Sequence, residues 1–169
     1  KINNTLSKAF GINPYAGFLT KKEVSFFLAS CKSQKKQGWF PDVVICDWTE
    51  CIFLVKKIKA IFPSAKYIAV EQDVSLLKYE RIYKRTKNPF IRVLRHRIYK
   101  NVLKREISSL KNYDIVKTLN GKDTKILLGL GIDEKRISII SPFYKKLNFF
   151  EVNSNSKNIL FWGAIIEIL

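Results

Sequence analysis

Five short apolar runs set the rhythm of this chain: Val43 to Cys46, Tyr67 to Val70, Ile115 to Leu119, Ile137 to Ile140 and Ile159 to Trp162. Most are followed by a polar or glycine-bearing turn and then by sequence of helical period. Strand, turn and helix in that succession spell an α/β fold, an open and mostly parallel Rossmann-like sheet flanked by helices. Such sheets place their chemistry at the carboxyl ends of the strands, so the turns after the runs hold the candidate residues.

The first 20 residues read as loop with one helical turn. A helix is predicted from Lys21, with Thr20 as N-cap, Glu23 completing a capping box, and Val24, Phe27, Leu28 and Cys31 on one face. Pro41 to Cys46 is β-branched without polar alternation and reads as a strand buried on both faces. A helix from Thr49 points Ile52, Val55, Ile58 and Phe62 inward and stops at Pro63. Lys66 to Val70 is the next strand, with Glu71-Gln72-Asp73 as its exit turn. Ser75 is the expected cap of a helix to about Lys87, and Pro89 opens a longer one to about Asn112, with Ile91, Leu94, Ile98 and Val102 on its buried stripe. Tyr113 to Leu119 is followed by a helix capped by Asn120 and Asp123 and closed by Gly129 and Gly131. Arg136 to Ile140 makes the fourth strand, Ser141 to Tyr144 its exit. Residues 1–150 are therefore read as one Rossmann-like domain, and 151–169 as a linker and the first strand of a second. With no methionine anywhere, the chain reads as part of a longer protein.

In parallel strands Asp47 and Glu50, Glu71 and Asp73, Asn120, and Tyr144 share one sheet edge. Each has a structural reading as turn, cap or packing residue; Asp73, between a strand end and a helix start, is the candidate catalytic residue, as a base or as a hydrogen-bond acceptor for a sugar hydroxyl. Lone His96 and three scattered cysteines, Cys31, Cys46 and Cys51, offer no ligand spacing, so no metal site is expected. The cysteines read as small buried residues in a reducing compartment. No Gly-rich Lys-Ser/Thr phosphate loop is present.

The net charge of +17 concerns partners and not fold. Lys78 to Arg105 holds eleven Lys and Arg, among them Arg81, Lys84, Arg85, Arg92, Arg95 and Lys100, against Glu80 alone. With Tyr79, Tyr83, Phe90 and Tyr99 interleaved, the segment suits the headgroup zone of an anionic leaflet. The alternatives are a solvated helix face and, less favoured, a nucleic-acid surface. A cytoplasmic protein peripheral to the inner face of the membrane is expected.

Pro41 to Ile45, Ala65 to Val70, Tyr113 to Asp123 and Lys135 to Pro142, taken in order, resemble the N-terminal domain of GT-B glycosyltransferases of family four. Asn158 to Ala164 looks like the opening strand and glycine turn of that family's second domain. The resemblance covers about residues 40 to 164. It implies the acceptor-side half of an enzyme that transfers a sugar, with retention, from a nucleotide sugar to a lipid-linked or polysaccharide acceptor. The nucleotide sugar is a co-substrate, no cofactor is implied, and donor binding falls mostly to the second domain. By position Glu71, Asp73, Asn120, Asp47 and Tyr144 face the acceptor, Gly163 the donor, and Glu106 is a buried structural partner of an arginine. The family's opening strand and its donor-site glutamates lie outside this chain, so the segment alone is expected to be inactive. Two rival readings are a noncatalytic basic α/β module binding nucleic acid and a receiver-like domain with Asp47 as phosphoacceptor.

Overall fold

A computed structural model describes residues 19–49 and 51–140 and gives an α/β fold built on four parallel strands. Thr20 opens helix α1 (Lys21–Lys36) as foreseen: its hydroxyl accepts from the Glu23 N–H at 3.2 Å, and the Glu23 carboxylate accepts from the Thr20 N–H at 2.6 Å. Two otherwise orphaned helix-start donors are thereby satisfied. Val24 is buried and Leu28 and Cys31 pack against the core, but Phe27 is exposed, so the buried stripe is narrower than the sequence stripe. After α1 the chain reverses at Gly38, whose φ of 87° is costly for a residue with a Cβ.

Strand β1 (Val43–Asp47) leads through a 3₁₀ turn (Ile52–Leu54) into α2 (Val55–Ile61), and β2 (Lys66–Glu71) into α3 (Ser75–Arg85) and α4 (Pro89–Leu110). Strand β3 (Ile115–Thr118), α5 (Gly121–Gly129), a second 3₁₀ turn (Glu134–Arg136) and β4 (Ile137–Ile139) complete the described chain. Ile52, Val55, Ile58 and Phe62 are all buried, as their spacing requires. The strands lie in the order β1-β2-β3-β4, with Val43 beside Lys66, Glu71 beside Thr118 and Thr118 beside Ile139.

Consecutive parallel strands joined by right-handed crossovers bring every crossover helix to the same face of a sheet. Burial follows that rule: Cys46, Tyr67, Ala69, Glu71, Val116 and Thr118 are buried, whereas Val43, Ile45 and Ile115, on the opposite face, are exposed. The expectation that β1 is buried on both faces is thus corrected. Its apolar run is continuous because both faces carry apolar residues, but among the described residues only one face is enclosed, and Ile45 keeps 61% of its surface.

Helices α2, α4 and α5 close the core on that face with Ile58, Leu110 and Leu127 around Tyr67 and Tyr113. Each buried phenol donates to a carbonyl, Tyr67 to Phe62 at 2.8 Å and Tyr113 to Ile52 at 3.0 Å. Burial pushes the Tyr67 hydroxyl up to about 12 and the Tyr113 hydroxyl upward as well. It likewise raises the thiols of buried Cys46 and half-buried Cys31.

Long cationic side chains satisfy backbone carbonyls where helices end. Lys35 donates to Ile61 at the end of α2, Lys59 to Asn112 just beyond α4, and Arg136 to Lys111 and Tyr113. Carbonyls left over at a helix end, and the negative pole they form, favour such donors.

The expectations that fall on residues 1–18, Glu50 and 141–169 lie outside the described residues. These include Tyr144, Gly163, the linker and the strand at 157–161.

Candidate functional site

Because the strands are parallel, their exits share one edge. Asp47-Trp48-Thr49, Glu71-Gln72-Asp73 and Leu119-Asn120 lie side by side there, after β1, β2 and β3. The first two turns are stitched together. Gln72 Nε2 donates to Asp47 Oδ1 at 2.9 Å, and Thr49 Oγ1 donates to the Asp73 carbonyl at 2.6 Å. Asp47 Oδ1 also accepts from the Trp48 N–H at 3.0 Å. Thr49, expected to start a helix, is instead a buried cross-link between turns.

These bonds flank a residue that the sequence gives no candidate role. Trp48 has φ of 76°, left-handed backbone in which a bulky side chain is disfavoured by about 1–3 kcal/mol. Its side chain is nevertheless not tucked away: the residue is 52% exposed. An exposed indole on a backbone that is strained and tied to Asp47, at a sheet rim, is a flat apolar platform beside polar groups. No sequence signal marks it, since positive φ is not written into a Trp.

The predicted site residues take different places. Asp73 is exposed, with its backbone carbonyl held by the Thr49 hydroxyl. Asp47 is exposed but accepts the two bonds just described, a role of positioning. Glu71 is the last residue of β2 and fully buried on the helix-covered face beside Thr118, which removes it from the acceptor-facing set. Asn120 caps α5: its Oδ1 accepts from the Asp123 N–H at 2.9 Å and its Nδ2 donates to Asp123 Oδ2 at 2.8 Å. Thr124 reinforces that corner with bonds to the Asn120 carbonyl at 3.1 Å and to the Thr118 hydroxyl at 2.6 Å.

Glu106 is fully buried, as expected, and its Oε2 accepts from the Leu76 N–H at 3.0 Å. Ser75 was expected to cap α3, but it is the first helical residue, and Val74 before it makes no side-chain cap. A carboxylate from α4 does that work, where the helix dipole favours negative charge.

The basic residues lie apart, on α3 and α4. Arg81, Lys84, Arg85, Arg92, Arg95 and Lys100 are all exposed. Lys84 pairs with Glu80 at 2.8 Å, Arg92 stands over the Tyr83 ring at 5.4 Å, and Arg95 donates to Thr86 at 2.8 Å. Among the described residues, no three His, Cys, Asp or Glu side chains come together as metal ligands, and no helix is long and apolar enough to cross a membrane.

Comparison of the chain with protein families, with curated proteins and with solved structures returned no match.

Proposed function

We propose that this chain is the acceptor-side domain of a retaining glycosyltransferase that moves a sugar from a nucleotide-sugar donor to a lipid-linked or polysaccharide acceptor. The observation that carries this reading is the shared rim, where an exposed aromatic platform, Trp48, stands one turn away from an exposed carboxylate, Asp73. Sugars present both an apolar C–H face and a fringe of hydroxyls. An indole takes the first and a carboxylate accepts from the second, more strongly than a neutral acceptor would.

In this reading Asp73 orients the acceptor hydroxyl, Trp48 stacks on the ring, and Asp47, Gln72 and Thr49 hold both at fixed separation. Asn120 contributes a rigid edge after β3, with one amide hydrogen remaining beyond its bond to Asp123. The donor is bound chiefly by a second domain, and the activity belongs to the two together.

Saturation-transfer NMR against a panel of lipid-linked and polysaccharide-derived oligosaccharides tests the assignment. At least one saccharide should contact the chain, with the signal reduced about tenfold or more by Trp48→Ala and by Asp73→Asn at unchanged fold. Saccharide contact that neither substitution alters, or RNA that perturbs the rim while every saccharide leaves it untouched, would remove the reading.

A further inference from the structure

Helices α3 and α4 form a hairpin whose far end is both rigid and apolar on the outside. Asn88 caps α4 through bonds from the Phe90 and Ile91 N–H groups at 3.0 and 3.2 Å, and Pro89 sets its first turn. Thr86 is buried in the connection, donating to Ile82 at 2.6 Å and accepting from Arg95. Tyr83 lies against His96 with ring centroids 4.7 Å apart and the rings tilted by 32°. From Glu106, where α4 holds the start of α3, to Phe90 the helix extends about 24 Å at 1.5 Å per residue.

At that end Phe90 is 85% exposed and Val93 72%, with Ile91 exposed beside them. Ile91 was expected to begin the buried stripe; burial on that stripe starts further along, with Leu94 half-buried and Ile98 buried. Phe90, Val93, Arg97, Lys100 and Lys104 follow one another at three- and four-residue spacing and are all exposed. They form one stripe, apolar at the tip and cationic along the shaft. Lys84, Arg85, Lys87 and Arg92 surround the tip, and all four are exposed.

We propose that this hairpin is a membrane wedge, docking on an anionic bilayer with Phe90, Ile91 and Val93 in the acyl boundary and Arg97, Lys100 and Lys104 against lipid phosphates. The inference stands on the hairpin alone and is independent of the rim. Cations by themselves attract any polyanion, and the Phe90 ring has a face for a nucleobase, but Ile91 and Val93 exposed beside it have none and gain only by leaving water. The joint arrangement of apolar tip and basic shaft is the one that interfacial helices present to anionic lipid.

Flotation with vesicles of phosphatidylcholine alone, and of an equimolar mixture with phosphatidylglycerol, tests the wedge across a salt series. Binding is expected to the anionic vesicles only. The double substitution Phe90→Ser with Val93→Ser should lower partitioning about tenfold or more, with circular dichroism unchanged. Replacing Arg97, Lys100 and Lys104 by Gln should lower it too and flatten the salt dependence. Phe90→Trp, as a second variant, should increase fluorescence quenching by brominated lipid. The wedge is overturned if the serine pair leaves vesicle binding intact, if Phe90→Trp gains no quenching, if anionic vesicles are not bound, or if single-stranded RNA displaces the protein from them at equal charge.

Discussion

At the scale of single residues, the side chains that behave as their sequence neighbourhood dictates are those whose partners lie within one helical turn. Thr20 with Glu23, Asn88 with Phe90 and Ile91, and Asn120 with Asp123 are examples. The pattern of hydroxyl or amide, then acid or proline, specifies those bonds without reference to the rest of the chain. One of them has a measurable pH signature. Hydrogen bonding to the Thr20 side chain, and then to its backbone N–H, holds the Glu23 carboxyl below its ordinary value of 4.5. A depressed carboxyl supports the folded helix start fully above that ordinary value and loses the contribution as pH falls through its lowered, folded value. Amide exchange at Thr20 and Glu23 should therefore accelerate, beyond the intrinsic pH trend, on acidification below about pH 4, and Glu23→Gln should abolish the excess. An excess that persists in Glu23→Gln would place its origin elsewhere. Trp48 and Glu71 show the opposite case. The first depends on tethers from Gln72 through Asp47, and the second on which parity of β2 meets the helices, and neither fact resides in nearby residues.

At the scale of elements, the strands and helices were legible because each carries its own period and several are bounded by Gly, Pro or a cap. What was not legible is how one element finishes another. Helix α3 lacks a cap of its own, and its Leu76 N–H is met by Glu106, thirty residues further on. Removing that acceptor while keeping the helix leaves a buried donor unsatisfied. Glu106→Ala should cost about 1–3 kcal/mol in urea denaturation, and Glu106→Gln, which keeps an oxygen and the volume, clearly less. Equal losses in the two variants would mean that the packing of the side chain, and not its hydrogen bond, sets the cost.

At the scale of the whole molecule, the order β1-β2-β3-β4 decides which side of the sheet is interior, and no single run discloses it. The two faces should respond differently to substitution. Ile45→Ser, on the open face, should change stability by no more than about 0.5 kcal/mol, whereas Leu127→Ala, fully buried, should cost about 2–5 kcal/mol. A costly Ile45→Ser would show that the open face is covered in solution. The sheet order also explains why the rim could be foreseen as a place while its working parts could not. Parallel direction alone gathers Asp47, Asp73 and Asn120, but only the packed turns decide that one is tied, one presented and one spent on a cap.

The ammonium and guanidinium groups that close the ends of helices carry a last implication. Lys35, Lys59 and Arg136, each half-buried, are engaged with main-chain oxygens. An ion-exchange isotherm on heparin or any similar matrix would accordingly register fewer displaced counterions than the formal surplus of +17 promises.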